Sequence, residues 1–414
     1  MEYRYSTGKD RLDGCFLAKG VSVFPKLKKR KRKYIPNMIN HSRKNGTAIT
    51  HRGEARFLLL EPVLFIISIL YGYIVRWRES LYQKKIFRSK RLPCKVISVG
   101  NLTVGGTGKT PMTIHLARLI QNLGYKTAVI SRGYKGKAER TGGIVSDGQS
   151  ILMGPGKAGD EPFMIASKLK NVPVIVGKNR YEAGMLGVKA FEPDVLVLDD
   201  AFQHRKLERD LDIVLLDNSL PFGNGHLFPL GTLREPLSAL ARGDMFILTR
   251  SDLEKSPSLS KFEQFGRGKP IFRSSHVPNI CTVRMGRNST RVAEPESIIS
   301  HDLDLIKDRN VFAFSGLANN QDFHRTIKSL KCNMLGMLEF PDHYCYSDTD
   351  LEKIFRLAKD TNVDCLVTTE KDYVRIAHRI IWPIDLVVIG IDVTFEDEED
   401  SFNAVIRSRL KSIQ

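Results

Sequence analysis

The chain has 414 residues, 42% of them hydrophobic, and a formal net charge of +18, enough length for two domains with separate cores. The charge is concentrated: residues 1–95 hold 23 Lys/Arg against 6 Asp/Glu (+17), and the remainder holds 41 against 40 (+1), so the folded body is nearly neutral. That body lacks a basic groove interleaved with aromatics, which argues against nucleic-acid binding, and six scattered cysteines with no C-x-x-C argue against a disulfide framework or a zinc site.

Residues 1–55 are polar and basic around Lys26-Leu-Lys-Lys-Arg-Lys-Arg-Lys33. Few apolar residues recur with any period, so a disordered or surface-bound tail is expected. A polybasic membrane patch, a nucleic-acid contact and an over-extended start, with Met38 as an alternative, all stay open. The acids Asp10 and Asp13 fit a transit peptide poorly.

Residues 57–75 are mostly apolar, interrupted by Glu61-Pro62, and 63–75 carry no charge. A spanning helix wants about 20 apolar residues, so the stretch is marginal for crossing a bilayer. Tyr71, Tyr73 and Trp77 rim it, and Arg76, Arg78, Lys84, Lys85 and Arg88 follow. Apolar body, aromatic rim and cationic flank predict a helix over 56–92 attached to an anionic membrane surface. A buried core helix and a single span are the alternatives.

The apolar run 96–99 reads as a buried strand that breaks into Gly100-Asn-Leu-Thr-Val-Gly-Gly-Thr-Gly-Lys-Thr110, with a helix predicted over 111–121. Gly105, Gly106 and Gly108 let the backbone point its N–H groups inward, with Thr103, Val104 and Thr107 completing the cradle. Lys109 supplies charge for the outer phosphates, Thr110 a hydroxyl for Mg²⁺, and the helix N-terminus a dipole. The full pattern G-x-x-x-x-G-K-[ST] wants Gly where Thr103 stands, so this is a variant phosphate-binding loop (P-loop).

Further strands are predicted at 127–131, 172–176, 194–199, 211–217 and 245–249. Such near-continuous apolar strands, separated by helix-length segments, imply a parallel sheet covered on both faces. The fold class expected is therefore α/β: a P-loop NTPase-like sheet over 93–250. A smaller α/β domain over 251–414 would follow, with strands near 311–315, 332–336, 365–368 and 386–391 and a last helix near 397–410. Ligands of such sheets gather at the carboxyl ends of the strands.

Asp199-Asp200 closes one strand, as a Walker B carboxylate should: one acid for Mg²⁺, the other to orient the nucleophile or Lys109. Gln203 and His204 follow closely enough to approach the phosphates. In Leu233-Arg-Glu-Pro236, Arg234 offers a cation for transition-state charge and Glu235 a carboxylate to complete a metal shell. Gly159-Asp-Glu-Pro162 begins a helix, where Asp160 could act as an N-cap. His343, in Phe340-Pro-Asp-His343, could polarise a carboxylate or take a proton.

Taken together with Ser131-Arg-Gly-Tyr134 and Thr369-Glu-Lys-Asp372, these motifs resemble the tetraacyldisaccharide 4′-kinase (lipid A 4′-kinase) family over about residues 57–395. Ala201 stands where the family often has Gly, a small departure. The resemblance implies a lipid kinase that uses ATP and Mg²⁺ to phosphorylate the 4′-hydroxyl of a tetraacyl glucosamine disaccharide 1-phosphate. It also implies Asp160 as general base paired with His343, and Asp199, Asp200, Glu235 and Thr110 for Mg²⁺ and phosphate alignment. Tyr134, Arg180, Gln203 and His204 become candidates for substrate contact. Attachment to the cytoplasmic face of a bacterial inner membrane is expected, with no obligate protein partner. Thr369-Glu-Lys-Asp372 differs in spacing from the base-reading N/T-K-x-D motif, so guanine recognition is not supported. The alternative is a membrane-targeting or partition-type ATPase, but Val104 stands where its signature lysine would be.

Overall fold

A computed structural model describes residues 51–251, 260–284, 286, 303–377 and 382–412. The basic run 26–33 lies outside the described residues. The apolar stretch 57–75 is helical, within α1 (His51–Gln83). There follow β1 (Lys95–Asn101), α2 (Lys109–Asn122), β2 (Thr127–Ser131), β3 (Gly143–Ser146), α3 (Pro155–Ala158), α4 (Asp160–Lys168), β4 (Val174–Val176), α5 (Arg180–Phe191), β5 (Val195–Asp199), β6 (Leu211–Asp217) and β7 (Met245–Thr249). The second half contributes α6 (Ser260–Gly266), β8 (Ile271–Arg284), β9 (Asn310–Ser315), α7 (Asn320–Ser329), β10 (Asn333–Glu339), α8 (Asp348–Asp360), β11 (Cys365–Thr369), α9 (Glu370–Ile376), β12 (Leu386–Thr394) and α10 (Glu399–Ser412).

The described strands form one sheet in the order β10-β9-β11-β12-β8-β7-β6-β1-β5-β2-β4-β3. Its centre, β1 between β5 and β6, is parallel and buried on both faces, as the apolar runs require. The sheet is mixed rather than wholly parallel. β3 runs antiparallel to β4, and β8 runs parallel to β7 through residues 271–274 but antiparallel to β12 through 275–284. β8 thus belongs to both halves, which share one continuous sheet. It was not legible as a strand because Arg273, Ser274, Ser275, His276, Pro278 and Asn279 interrupt any apolar pattern.

One core cluster packs α2 and α4 on the sheet and includes Phe402, Ile406 and Leu410 of α10, beside Ile97 and Met112 of the first half. Two others fill the second half, around Val311, Phe323 and Ile327 and around Phe314, Ile354 and Trp382. α1 keeps Val63, Ile66, Leu70, Ile74 and Trp77 at least half exposed. Its opposite face is tied to the body: Ser68 Oγ donates to the Leu227 carbonyl, Tyr71 Oη donates to the Arg234 carbonyl, and Glu79 pairs with Arg205 and Arg242. No described helix is long and apolar enough to cross a membrane.

Candidate active site

The turn after β1 carries the phosphate loop. Gly108 sits in the left-handed region (φ 77°), and a Cβ there would stand 2.6 Å from His276 Nε2, so only glycine fits between β8 and the loop. No atom stands within 4 Å of where a Cβ would project from Gly105 or Gly106. The base of the loop is pinned by Asn101, whose buried amide donates to Thr107 Oγ1 (2.9 Å) and lies 3.5 Å from Thr103 Oγ1. The Val104 N–H donates to the Thr232 carbonyl, which joins the loop to the turn carrying Arg234.

Lys109 is buried, which lowers its ammonium below the ordinary lysine range. Asp200, 4.0 Å away, opposes that shift, and the Lys109 Nζ donates to the Gly105 carbonyl (3.3 Å). Asp199 accepts from Thr113 Oγ1 (3.3 Å) and Ser131 Oγ (3.0 Å). Complete burial, then Glu161 and Asp200, raise its carboxyl well above the usual range, because two hydroxyls do not replace the water it has lost. Asp200 adopts a left-handed backbone (φ 47°) and takes Arg234 Nη1 on both oxygens (2.9 and 3.1 Å). Burial would raise it, but Lys109 and Arg234 hold it below the usual range.

Arg180 is nearly fully buried at the start of α5, donating to the carbonyls of Gly177 (2.9 Å) and Asp199 (3.4 Å). Gln203 Nε2 donates to the Asn101 carbonyl (2.8 Å). Burial, then Arg180, pushes His204 down to about 4, so its imidazole is neutral, and its Nε2 has no hydrogen-bond partner among the described residues.

Asp160 is the first residue of α4, and the N-cap is Gly159, in a φ 94° conformation that brings it against the Tyr134 carbonyl. The Asp160 carboxylate therefore does not cap its own helix. It accepts from Arg375 Nε and pairs with Arg375 Nη2 (both 2.7 Å) and with His343 Nδ1 (3.5 Å). Burial works to raise Asp160, and the hydrogen bonds and charges of His343 and Arg375 outweigh it, leaving the carboxyl below its ordinary range. His343 is itself left-handed (φ 57°), with the Tyr134 ring edge-on at 5.6 Å.

A cleft of about 2280 Å³ is lined by Val104 to Thr110, Tyr134, Arg180, Asp199, Asp200, Gln203, His204, Arg234 and His343. Glu161 lines it too, whereas Thr103 and Asp160 are not among its lining residues. Glu235 is not brought to the cleft: it is 2% exposed and engaged by Arg78 of α1 (3.0 Å) and Arg242 (2.5 Å). Motif reading missed Arg375 and Arg78 because neither lies in a phosphate-loop signature. The signal for Arg375 was its i+3 spacing from Asp372 in the Thr369-Glu-Lys-Asp segment. Arg250 was missed as well. It pairs with Asp217 (2.9 Å) and Asp322 (2.8 Å) and donates to the Gly106 carbonyl of the loop.

The family model described as LpxK, tetraacyldisaccharide-1-P 4′-kinase, matches residues 60–411. The tetraacyldisaccharide 4′-kinase of Desulfatibacillum aliphaticivorans is 41% identical over 353 residues, 85% of this chain and 94% of the relative. That of Syntrophus aciditrophicus (strain SB) is 43% identical over 365 residues, 86% and 93% respectively. The crystal structure of "apo" form LpxK from Aquifex aeolicus in complex with ATP superposes with a TM-score of 0.67 at 33% identity, covering 85% of this chain and 99% of that one. The chain therefore belongs to the tetraacyldisaccharide 4′-kinase (LpxK) family.

Proposed function

We propose that this cleft passes the γ-phosphate of ATP to the 4′-hydroxyl of a tetraacyl glucosamine disaccharide 1-phosphate, with Asp160 as the general base oriented by His343. The chain is an ATP-dependent tetraacyldisaccharide 4′-kinase by family. The observation that carries the residue-level reading is the meeting of Asp160 and His343, from opposite halves of the chain, next to a phosphate loop. Glu161, adjoining the base, is close enough to bias both Lys109 and Asp199.

Lys109 and Arg234 bring positive charge to one side of the cleft, held in register by Asp200. Both would act where charge develops on a transferring phosphoryl group. Among the described residues no group of three or more His, Cys, Asp or Glu converges on one point. Mg²⁺ fits such a site, because it takes one or two carboxylates and completes its octahedron with phosphate and water oxygens. Asp199, Asp200 and the Thr110 hydroxyl would hold it, and it would neutralise phosphate charge when bound. The fit rests on Asp199, a buried acid that accepts hydrogen bonds from two hydroxyls among the described residues. Glu235 serves instead to hold the turn that carries Arg234. Tyr134, Arg180, Gln203 and His204 are assigned to the acceptor sugar, His204 as a neutral imidazole.

The acceptor is a lipid, so the enzyme must work at a bilayer. The exposed apolar face of α1, followed by Lys84, Lys85 and Arg88, suits peripheral attachment to an anionic surface at the cytoplasmic face of a bacterial inner membrane. The division into a kinase lobe (93–250) and a smaller lobe (251–414), joined through β8, is part of this reading, since Asp160 and His343 come from different lobes.

Phosphate transfer from γ-labelled ATP to a tetraacyl disaccharide 1-phosphate in detergent micelles tests it, with Asp160→Ala alongside. Label in the lipid that is largely lost in the variant is the expected result. ATP turnover without labelled lipid would return the partition-type ATPase reading.

A further inference from the structure

Asp160 Oδ2 carries every hydrogen bond and ion pair of that carboxylate, from Arg375 Nε and Nη2 and from His343 Nδ1, while Oδ1 has no partner among the described residues. Arg375 is in turn held. Its side chain is 9% exposed, its Nη1 pairs with Asp372 (3.3 Å) one helical turn away, and its Nη2 lies 3.2 Å from His343 Nδ1. Asp372 is fully buried and saturated, accepting from Tyr346 Oη (2.9 Å), Thr369 Oγ1 (2.6 Å) and the Gly316 N–H (3.0 Å). A guanidinium anchored on that side cannot follow a mobile carboxylate. It fixes where the carboxylate sits.

We infer that Arg375 is a positioning residue for phosphoryl transfer: anchored by Asp372, it clamps Oδ2 of Asp160 so that Oδ1 alone faces the acceptor hydroxyl. This rests on the reading of Asp160 as the base. In the step, the hydroxyl proton passes to Oδ1 as the hydroxyl oxygen bonds the γ-phosphorus, and the bond from phosphorus to the ADP oxygen breaks. The clamp has a second consequence. A cation on Oδ2 keeps the base ionised at lower pH than an unpaired buried carboxylate would be. The charged or titratable groups around it are Arg375, Asp372 and Lys371 of α9, His343 and Asp342 of the preceding loop, Tyr134, and Glu161 of its own helix. Lys371 is shared among Asp342, Glu161 and His343 (3.1, 3.9 and 3.3 Å) and has no contact with Asp160.

The test is the pH profile of kcat/KM for full-length wild type, Arg375→Met, Arg375→Lys and Asp160→Asn with micellar lipid substrate. Circular dichroism and thermal unfolding check that each variant folds. Arg375→Met should move the acid limb up by about 1 pH unit or more and lower kcat far more than it raises KM for ATP. Arg375→Lys should restore much of the limb position and little of kcat, because a point charge replaces a fork. A folded Arg375→Met with an unshifted limb and uniformly lowered activity would overturn the clamp. Retention of activity by Asp160→Asn would instead overturn the base assignment, and the two failures are separable.

Discussion

At the residue scale, the site works through pairs in which one partner is fixed by a third group. Arg234 holds Asp200, and Asp200 holds Lys109. Arg234→Ala should lower kcat by about 10²–10³-fold with little change in KM for ATP, as the proposed assignment of this arginine to transition-state charge requires. Steady-state kinetics at saturating lipid checks this, and an effect confined to KM would move Arg234 to ground-state binding. Two buried histidines make a prediction about stability. His204 and His276 are each pushed down to about 4, mainly by burial, then by Arg180 and Arg250 respectively. In the unfolded chain both titrate near 6.5. Between about pH 6.5 and 4 the unfolded state therefore binds more protons at these two sites, and their contribution to stability falls as pH falls through that window. Asp199, raised to about 7, takes up its proton in the folded state and works the other way, so the readout is a difference: urea midpoints from pH 7 to 5 should fall less in His276→Gln than in wild type. An equal pH slope in the two proteins would contradict the argument.

At the element scale, α1 is bolted to the active-site turn as well as presenting an apolar face. Tyr71 bonds the Arg234 carbonyl, and Arg78 shares the buried Glu235 with Arg242. Glu235→Ala would leave Arg242 with Glu79 alone (3.4 Å) and take the shared acid from Arg78, a loss of about 1–3 kcal/mol. Thermal unfolding should register it as a lowered Tm. An unchanged Tm with altered Mg²⁺ dependence of activity would return Glu235 to the metal shell. Gly159 is the other element-scale constraint: it precedes α4 with a φ of 94°, and a Cβ there would stand 3.0 Å from the Tyr134 carbonyl oxygen. Gly159→Ala should cost ~1–3 kcal/mol from backbone strain alone and lower activity further, by shifting Asp160 relative to His343.

At the scale of the whole molecule, the apolar face of α1 and the lipid acceptor belong to one argument. Ile66→Asp with Ile74→Asp should abolish co-sedimentation with anionic vesicles and reduce turnover of bilayer-embedded substrate, while activity on micelle-dispersed substrate changes little. Loss in both formats would mean that the helix serves the fold alone.

What the sequence determined by itself was whatever physics keeps local. The phosphate loop depends on glycine backbone freedom and a lysine at fixed spacing, and the Asp199-Asp200 pair follows an apolar strand directly. Most of the central strands were legible because burial on both faces leaves uninterrupted apolar runs. The tertiary structure alone decided the rest. β8 is polar and proline-broken, and it is a strand only because β7 and β12 supply its partners along two successive stretches. Glu235 sits beside Arg234 in sequence, yet adjacent side chains in an extended turn point apart, so one reached Asp200 and the other reached α1. Arg375 carried only its i+3 spacing from Asp372: its partner Asp160 is brought to it only when the helices α4 and α9 pack side by side. Spacing along the chain specifies which groups can bind a phosphate, and packing specifies which oxygen of Asp160 is taken by Arg375 and His343.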